Sequence, residues 1–147
     1  MEALHELARE RERTGITLAA QLQADLGDAA AALITLDRIA ATARSARIEA
    51  LRGGIAQRAG QHAVAVDAYQ RAVRAADAPA VWWVGLAVSL DALGQATQSH
   101  AAFSHAATDT NLPAGVRSFV QARIAALAAA GHANAAAPSE AAIAASR

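Results

Sequence analysis

Residues 79–94 read PAVWWVGLAVSLDALG, and the fold turns on how that stretch is punctuated. Proline suits a helix start because it has no amide to leave unpaired, and glycine accepts the left-handed conformation that closes a helix. The segment between Pro79 and Gly94 therefore reads as one helix with its own start and stop. It also holds both tryptophans, Trp82 and Trp83, of a chain whose aromatic content is only 3%.

The same punctuation recurs along the chain. ADLGDAAAAL (24–33), QRAGQHAVAV (57–66) and DALGQATQSH (91–100) each end a helical run in glycine followed by a polar residue. Gly27, Gly60 and Gly94 lie 33 and 34 residues apart. Pro79 and Pro113 keep the same period, and each stands two residues after an Asx, in DAP and NLP. An Asx side chain accepts the free amides of a helix start, so Asp77 and Asn111 are expected to cap the helices that follow.

A fixed period of this length is the mark of stacked helical hairpins. Aligning on the glycines gives repeats at about 13–45, 46–79 and 80–113. Residues 114–130 follow as an amphipathic helix with Val116, Phe119, Val120, Ile124 and Leu127 at helical spacing, as a capping helix would have. The helical repeat domain then occupies 1–130. Upstream, EALHELARERER (2–13) places Leu4, Leu7 and Ala8 on one face of a helix that extends or precedes the first repeat. Residues 131–147 contain Gly131 and Pro138 with few large apolar groups, and are expected to be an alanine-rich mobile tail.

Composition excludes much chemistry. The 147 residues carry zero formal net charge, so no global field gathers nucleic acid. Cysteine and lysine do not occur, which removes thiolate nucleophiles, disulfides, Schiff-base lysines and the phosphate-loop lysine. His5, His62, His100, His105 and His132 are scattered over different units, and no metal or cofactor site is expected from them. Ser104, His105 and Asp109 have the letters of a catalytic triad, but adjacent residues of one helix diverge, so no catalytic residue is assigned.

The 34-residue unit resembles the tetratricopeptide repeat family, whose pattern sets large and small residues at fixed places. The third repeat supplies Trp83, Leu86, Ala87, Ser99, Phe103 and Ala106 there; the second supplies Gly53, Ala65, Tyr69 and Ala72; the first supplies Ile16, Ala20, Ala32 and Leu36. Glu49 and Arg52 depart from it by standing where large apolar residues belong, and Ile39 replaces an alanine.

The resemblance implies an all-α fold: a right-handed superhelical stack of about three hairpins with a C-terminal capping helix. It also implies a non-enzymatic scaffold that holds a protein or peptide partner in a concave groove lined by the first helix of each repeat. The matching groove positions include Thr17, Gln21, Arg47, Gln57, Arg58, Val81, Val84 and Asp91, with Asp25, Ala50, Gly54 and Val88 beside them. The lysine–asparagine clamp for a C-terminal carboxylate is absent, which disfavours a co-chaperone of that type, although arginines can hold an acidic peptide by paired hydrogen bonds. Gly27, Gly60, Tyr69, Trp82, Trp83, Gly94 and Phe103 are assigned structural roles.

A narrower resemblance runs from VWWVGLAVSLDALGQ through AAFSHA to LPAGVRSFVQARIAAL, which is similar to the C-terminal repeats of a bacterial type IV pilus biogenesis family. It implies a role in pilus or secretion assembly, with a soluble adaptor or chaperone for another client as the alternative. The chain as it stands reads as soluble and cytoplasmic, or as facing the periplasm if it belongs to an anchored pilus protein. An apolar edge at the N-terminal end can also pair with a second copy of the chain.

Neighbouring helix residues point about 100° apart. Trp83 is accordingly expected between the two helices of its own repeat, with Trp82 turned toward Tyr69 and Val73 of the repeat before. Because the remaining interfaces are alanine on alanine, the tryptophan pair is expected to dominate the energetics of the core.

Overall fold

The computed structural model describes residues 1–136. These form seven α-helices: α1 (Glu2–Asp25), α2 (Ala29–Asp37), α3 (Ala46–Arg58), α4 (His62–Ala72), α5 (Ala80–Ala92), α6 (Ala96–Ala106) and α7 (Ala114–Ala136). A single 3₁₀ turn, Ala41–Ala43, lies between α2 and α3, and there is no strand among the described residues. Helices α1–α2, α3–α4 and α5–α6 pack as hairpins; α2 on α3, α4 on α5 and α6 on α7 join them into a stack, with α3 also touching α5.

Each hairpin turns in the same three-residue way. Gly27, Gly60 and Gly94 have φ of 92°, 73° and 74°, a conformation that side chains resist. In each turn the glycine amide and the one after it reach back to the helix just ended. Gly60 N donates to Gln57 O at 3.1 Å and Gln61 N to Ala56 O at 2.8 Å; the bonds from Gly27 and Asp28, and from Gly94 and Gln95, repeat this pattern. Such paired bonds satisfy carbonyls that a helix end leaves open. The residue after the glycine is the N-cap of the next helix, and Asp28 there adds a side-chain cap to Ala31 N at 2.9 Å.

Helix entrances differ from the sequence expectation. Pro79 itself is the N-cap of α5, and no side chain caps that helix, so Asp77 does not have the role assigned to it. Before α7, Asp109 accepts the Asn111 amide at 2.8 Å in a local turn. Besides Asp28, the residue whose side chain caps a helix is Ser45, which accepts from Ile48 N at 3.3 Å at the start of α3.

Small residues set the distance between helices. Ala20, Ala32, Ala56, Ala65, Ala68, Ala72, Ala87 and Ala106 are fully buried, and Leu36, Ile55, Phe103 and Val120 fill the space between them. Phe103 meets Phe119 of α7 edge to face, with ring centroids 5.9 Å apart, so α7 closes the last hairpin. The α7 helix continues past Gly131 to Ala136, six residues beyond the expected end of the capping helix. The rest of the expected tail lies outside the described residues.

The tryptophans are not the centre of the core. Both are partly buried and packed against it, and Trp83 stacks on the ring of His105 from α6, with centroids 3.8 Å apart. Trp83 thus faces the second helix of its own hairpin, but His105 is exposed and the pair forms the lid of that wedge. Phe103 is the largest fully buried side chain, so it and its aliphatic neighbours, rather than the tryptophans, stand at the centre of the core.

Candidate functional site

The face made by the first helix of each hairpin, α1, α3 and α5, with α7 beyond, carries the residues expected to line a groove. Three of its polar residues are committed to neighbouring helices. Gln57 Nε2 of α3 donates to Gly85 O at 3.0 Å and to Ser89 Oγ at 2.8 Å, both on α5. Asp91 of α5 accepts from Arg123 of α7. Arg58 of α3 lies 3.7 Å from Asp25 of α1, a pair exposed enough for water to screen it. Gln57 and Asp91 are therefore braces between helices, which sequence alone did not reveal, because their partners lie about a full repeat away.

The remaining expected residues are distributed differently. Thr17 bonds back to Arg13 O of its own helix at 2.7 Å, while Gln21 and Arg47 are exposed. Val81 is 48% exposed; Val84 and Val88 are half-buried on the core. Ala50 is buried at the foot of the face.

Tyr69 belongs to α4, yet its ring crosses to this face. A Cβ on Gly53 would come within 2.8 Å of Tyr69 Cδ2, and one on Gly85 within 2.4 Å of Cζ, so any side chain at either place collides with the ring. Those glycines hold a slot open between α3 and α5. At its end the Tyr69 hydroxyl lies 3.4 Å from where a Gly54 Cβ would stand, and it makes no hydrogen bond among the described residues. Burial pushes its pKa above the usual tyrosine value, with Arg58 pulling the other way. The resemblance identified Gly53 as a small position and Gly54 as a groove position; nothing in the sequence pointed to Gly85.

A second charged cluster went unread in the sequence. Glu49, only 3% exposed, lies in the wedge between the first and second hairpins. Its Oε1 is 3.9 Å from Arg44 Nη1, while its Oε2 has no hydrogen-bond partner among the described residues. Arg44 also donates to Ile39 O at 3.0 Å and reaches Asp37 Oδ1 at 3.4 Å, and Arg52 Nε meets the same Asp37 oxygen at 3.3 Å. Glu49 and Arg52, two of the three residues that broke the repeat pattern, are thus parts of one network across the α2–α3 junction, and the third, Ile39, lends it a carbonyl.

No group of three or more metal-ligating side chains is brought together among the described residues. No described helix is long and apolar enough to cross a membrane.

The stacked hairpins, the shared turn and the capping helix define an α-helical repeat protein. The model of the tetratricopeptide repeat-like domain family matches residues 14–95, more than half of the chain, and the chain belongs to that family. The match runs from the middle of α1 through α5. Members of the family generally mediate protein–protein interactions and are generally not enzymes. No curated protein matches the chain.

Proposed function

We propose that this chain is a non-enzymatic scaffold that holds an extended segment of a partner protein along the α1–α3–α5 face. The observation that carries the reading is the strip between α3 and α5. There a Tyr69 hydroxyl without an intrachain bond lies at the mouth of a glycine slot near Arg58, with half-exposed valines beside it. A peptide with apolar side chains and an acidic or carbonyl group suits that combination: valines take the side chains, and arginine and tyrosine donate hydrogen bonds. Thr17, Gln21, Arg47, Arg58, Val81 and Val84 are its proposed contacts, with Gln57 and Asp91 holding the helices that present them.

Assembly of a pilus or secretion apparatus is the cellular setting we favour, supported by the resemblance of the segment around the tryptophans and of α7. The test is a photo-crosslinking residue placed at Arg47, Val81 or Val84, with Gln70 and Gln98 on the second helices as controls. Adducts from the first three positions alone, lost on adding Arg58→Glu, support the groove; equal adducts from the controls overturn it. Pilus or secretion proteins in those adducts support the setting, whereas unrelated clients replace it with a general adaptor or chaperone.

A further inference from the structure

Helix α1 has two apolar faces. Ile16, Ala20 and Ala24 are buried against the hairpin stack. Leu4, Leu7, Leu18 and Leu22 follow one another on the opposite side and are 68%, 59%, 58% and 56% exposed. At about 100° per residue those four leucines fall within roughly one quadrant of the helix, facing away from the stack. Helix α2 has 9 residues against the 24 of α1, and residues 1–12 are exposed throughout. An isolated helical extension of that length is marginal in water unless its apolar side is covered.

From this arrangement we infer that α1 pairs with α1 of a second copy of the chain, antiparallel, about a two-fold axis beside residue 13. The spacing of the leucines is nearly symmetric about that point. Leu4 then meets the partner's Leu22, and Leu7 lies by the partner's Leu18, so every leucine of the stripe is covered by another. Each copy's uncovered extension lies on the packed half of the other, as a self-complementary interface requires.

Charge agrees with this register. Of the five charged residues between Leu7 and Leu18, Arg11 is the one that falls on the leucine stripe at about 100° per residue, and neither it nor Glu12 has an ion-pair partner among the described residues. The antiparallel pairing sets Arg11 across from Gly15, where there is open space, and within a side chain's reach of the partner's Glu12. Glu6, on another side of α1, is already paired with Arg9 and Arg13 at 3.3 and 3.0 Å.

The experiment is sedimentation velocity on the full chain over a concentration series, with helix content checked by circular dichroism. The parent is expected to dimerise. Leu7→Glu with Leu18→Glu abolishes the dimer, and Arg11→Glu weakens it about tenfold or more. Arg11→Glu combined with Glu12→Arg restores it. Because the chain has no cysteine, mixing Leu7→Cys chains with Leu18→Cys chains reads the register directly: the mixed disulfide forms and neither like pair does. A parent that stays monomeric, a dimer indifferent to the leucine variants, or like-pair disulfides overturns the inference.

Discussion

The second and third hairpins solve the same packing problem with opposite chemistry. At equivalent places on their first helices, α5 presents Trp83 and Leu86, whereas α3 presents Glu49 and Arg52. The α5 pair closes its hairpin with apolar surface, and Trp83 finishes under His105. The α3 pair joins Arg44 and Asp37 in a charged seal over the junction with the first hairpin. Small residues survive in both, with Gly53 and Ala65 in one and Ala87 and Ser99 in the other. Helix spacing is thus set by the small positions, while the large positions tolerate either solution. The cost of the charged one is fragility, because removing one partner strands the other.

Arg44→Ala should break this comparison most severely. It leaves the Glu49 carboxylate buried with no counter-charge and is expected to cost about 3–5 kcal/mol in denaturant unfolding. Trp83→Ala, at an edge shared with an exposed histidine, should cost less, roughly 1–3 kcal/mol. Equal losses would mean that the two seals are energetically alike.

The glycine slot sharpens the contrast at its middle. Gly85→Ala drives a methyl group into the Tyr69 ring and should cost about 1–3 kcal/mol. Adding Tyr69→Leu should recover part of that loss, a coupling that a double-mutant cycle measures. Strict additivity would show that the ring does not press on Gly85.

The smallest effect concerns alkali. Tyr69 is the only tyrosine, and burial raises its pKa in the folded chain, so the folded state holds the phenolic proton more tightly than the unfolded one. Its contribution to stability is whole below about pH 10 and is lost as pH rises through the raised folded value. Spectrophotometric titration should place the native phenol above the urea-unfolded one, and Tyr69→Phe should flatten the alkaline fall in stability.

Local rules made the architecture readable. A positive φ at Gly27, Gly60 and Gly94 is a property of three residues, so their spacing alone placed every hairpin turn. The candidate site was less legible for a geometric reason. Whether Gln57 faces a ligand or Ser89 depends on how closely α3 approaches α5, and that distance is set by alanines and glycines far away in sequence. Glu49 shows the same limit: as one letter it breaks a pattern, and only with Arg44 and Asp37 in place does it fit one. The Asx caps failed because Pro79 already occupies the N-cap. The end of α7 was misplaced because a single glycine weakens a helix without ending it.

The cross-helix bonds on the α1–α3–α5 face also have a mechanical consequence. Asp25, Gln57, Arg58 and Asp91 all lie in the last turn of a first helix, just before Gly27, Gly60 and Gly94. Between the first helices these bonds run along one rim, while Arg47 and Val81, at the other ends of α3 and α5, have no comparable stitch on that face among the described residues; the start of α3 is tied only to the α2 side, through Arg44 and Asp37. A ribbon hemmed on one edge bends by opening at the other. On that argument the start of α5 is expected to part from the start of α3 more readily than the glycine rim opens, so amide exchange should be faster near Val81 than near Asp91.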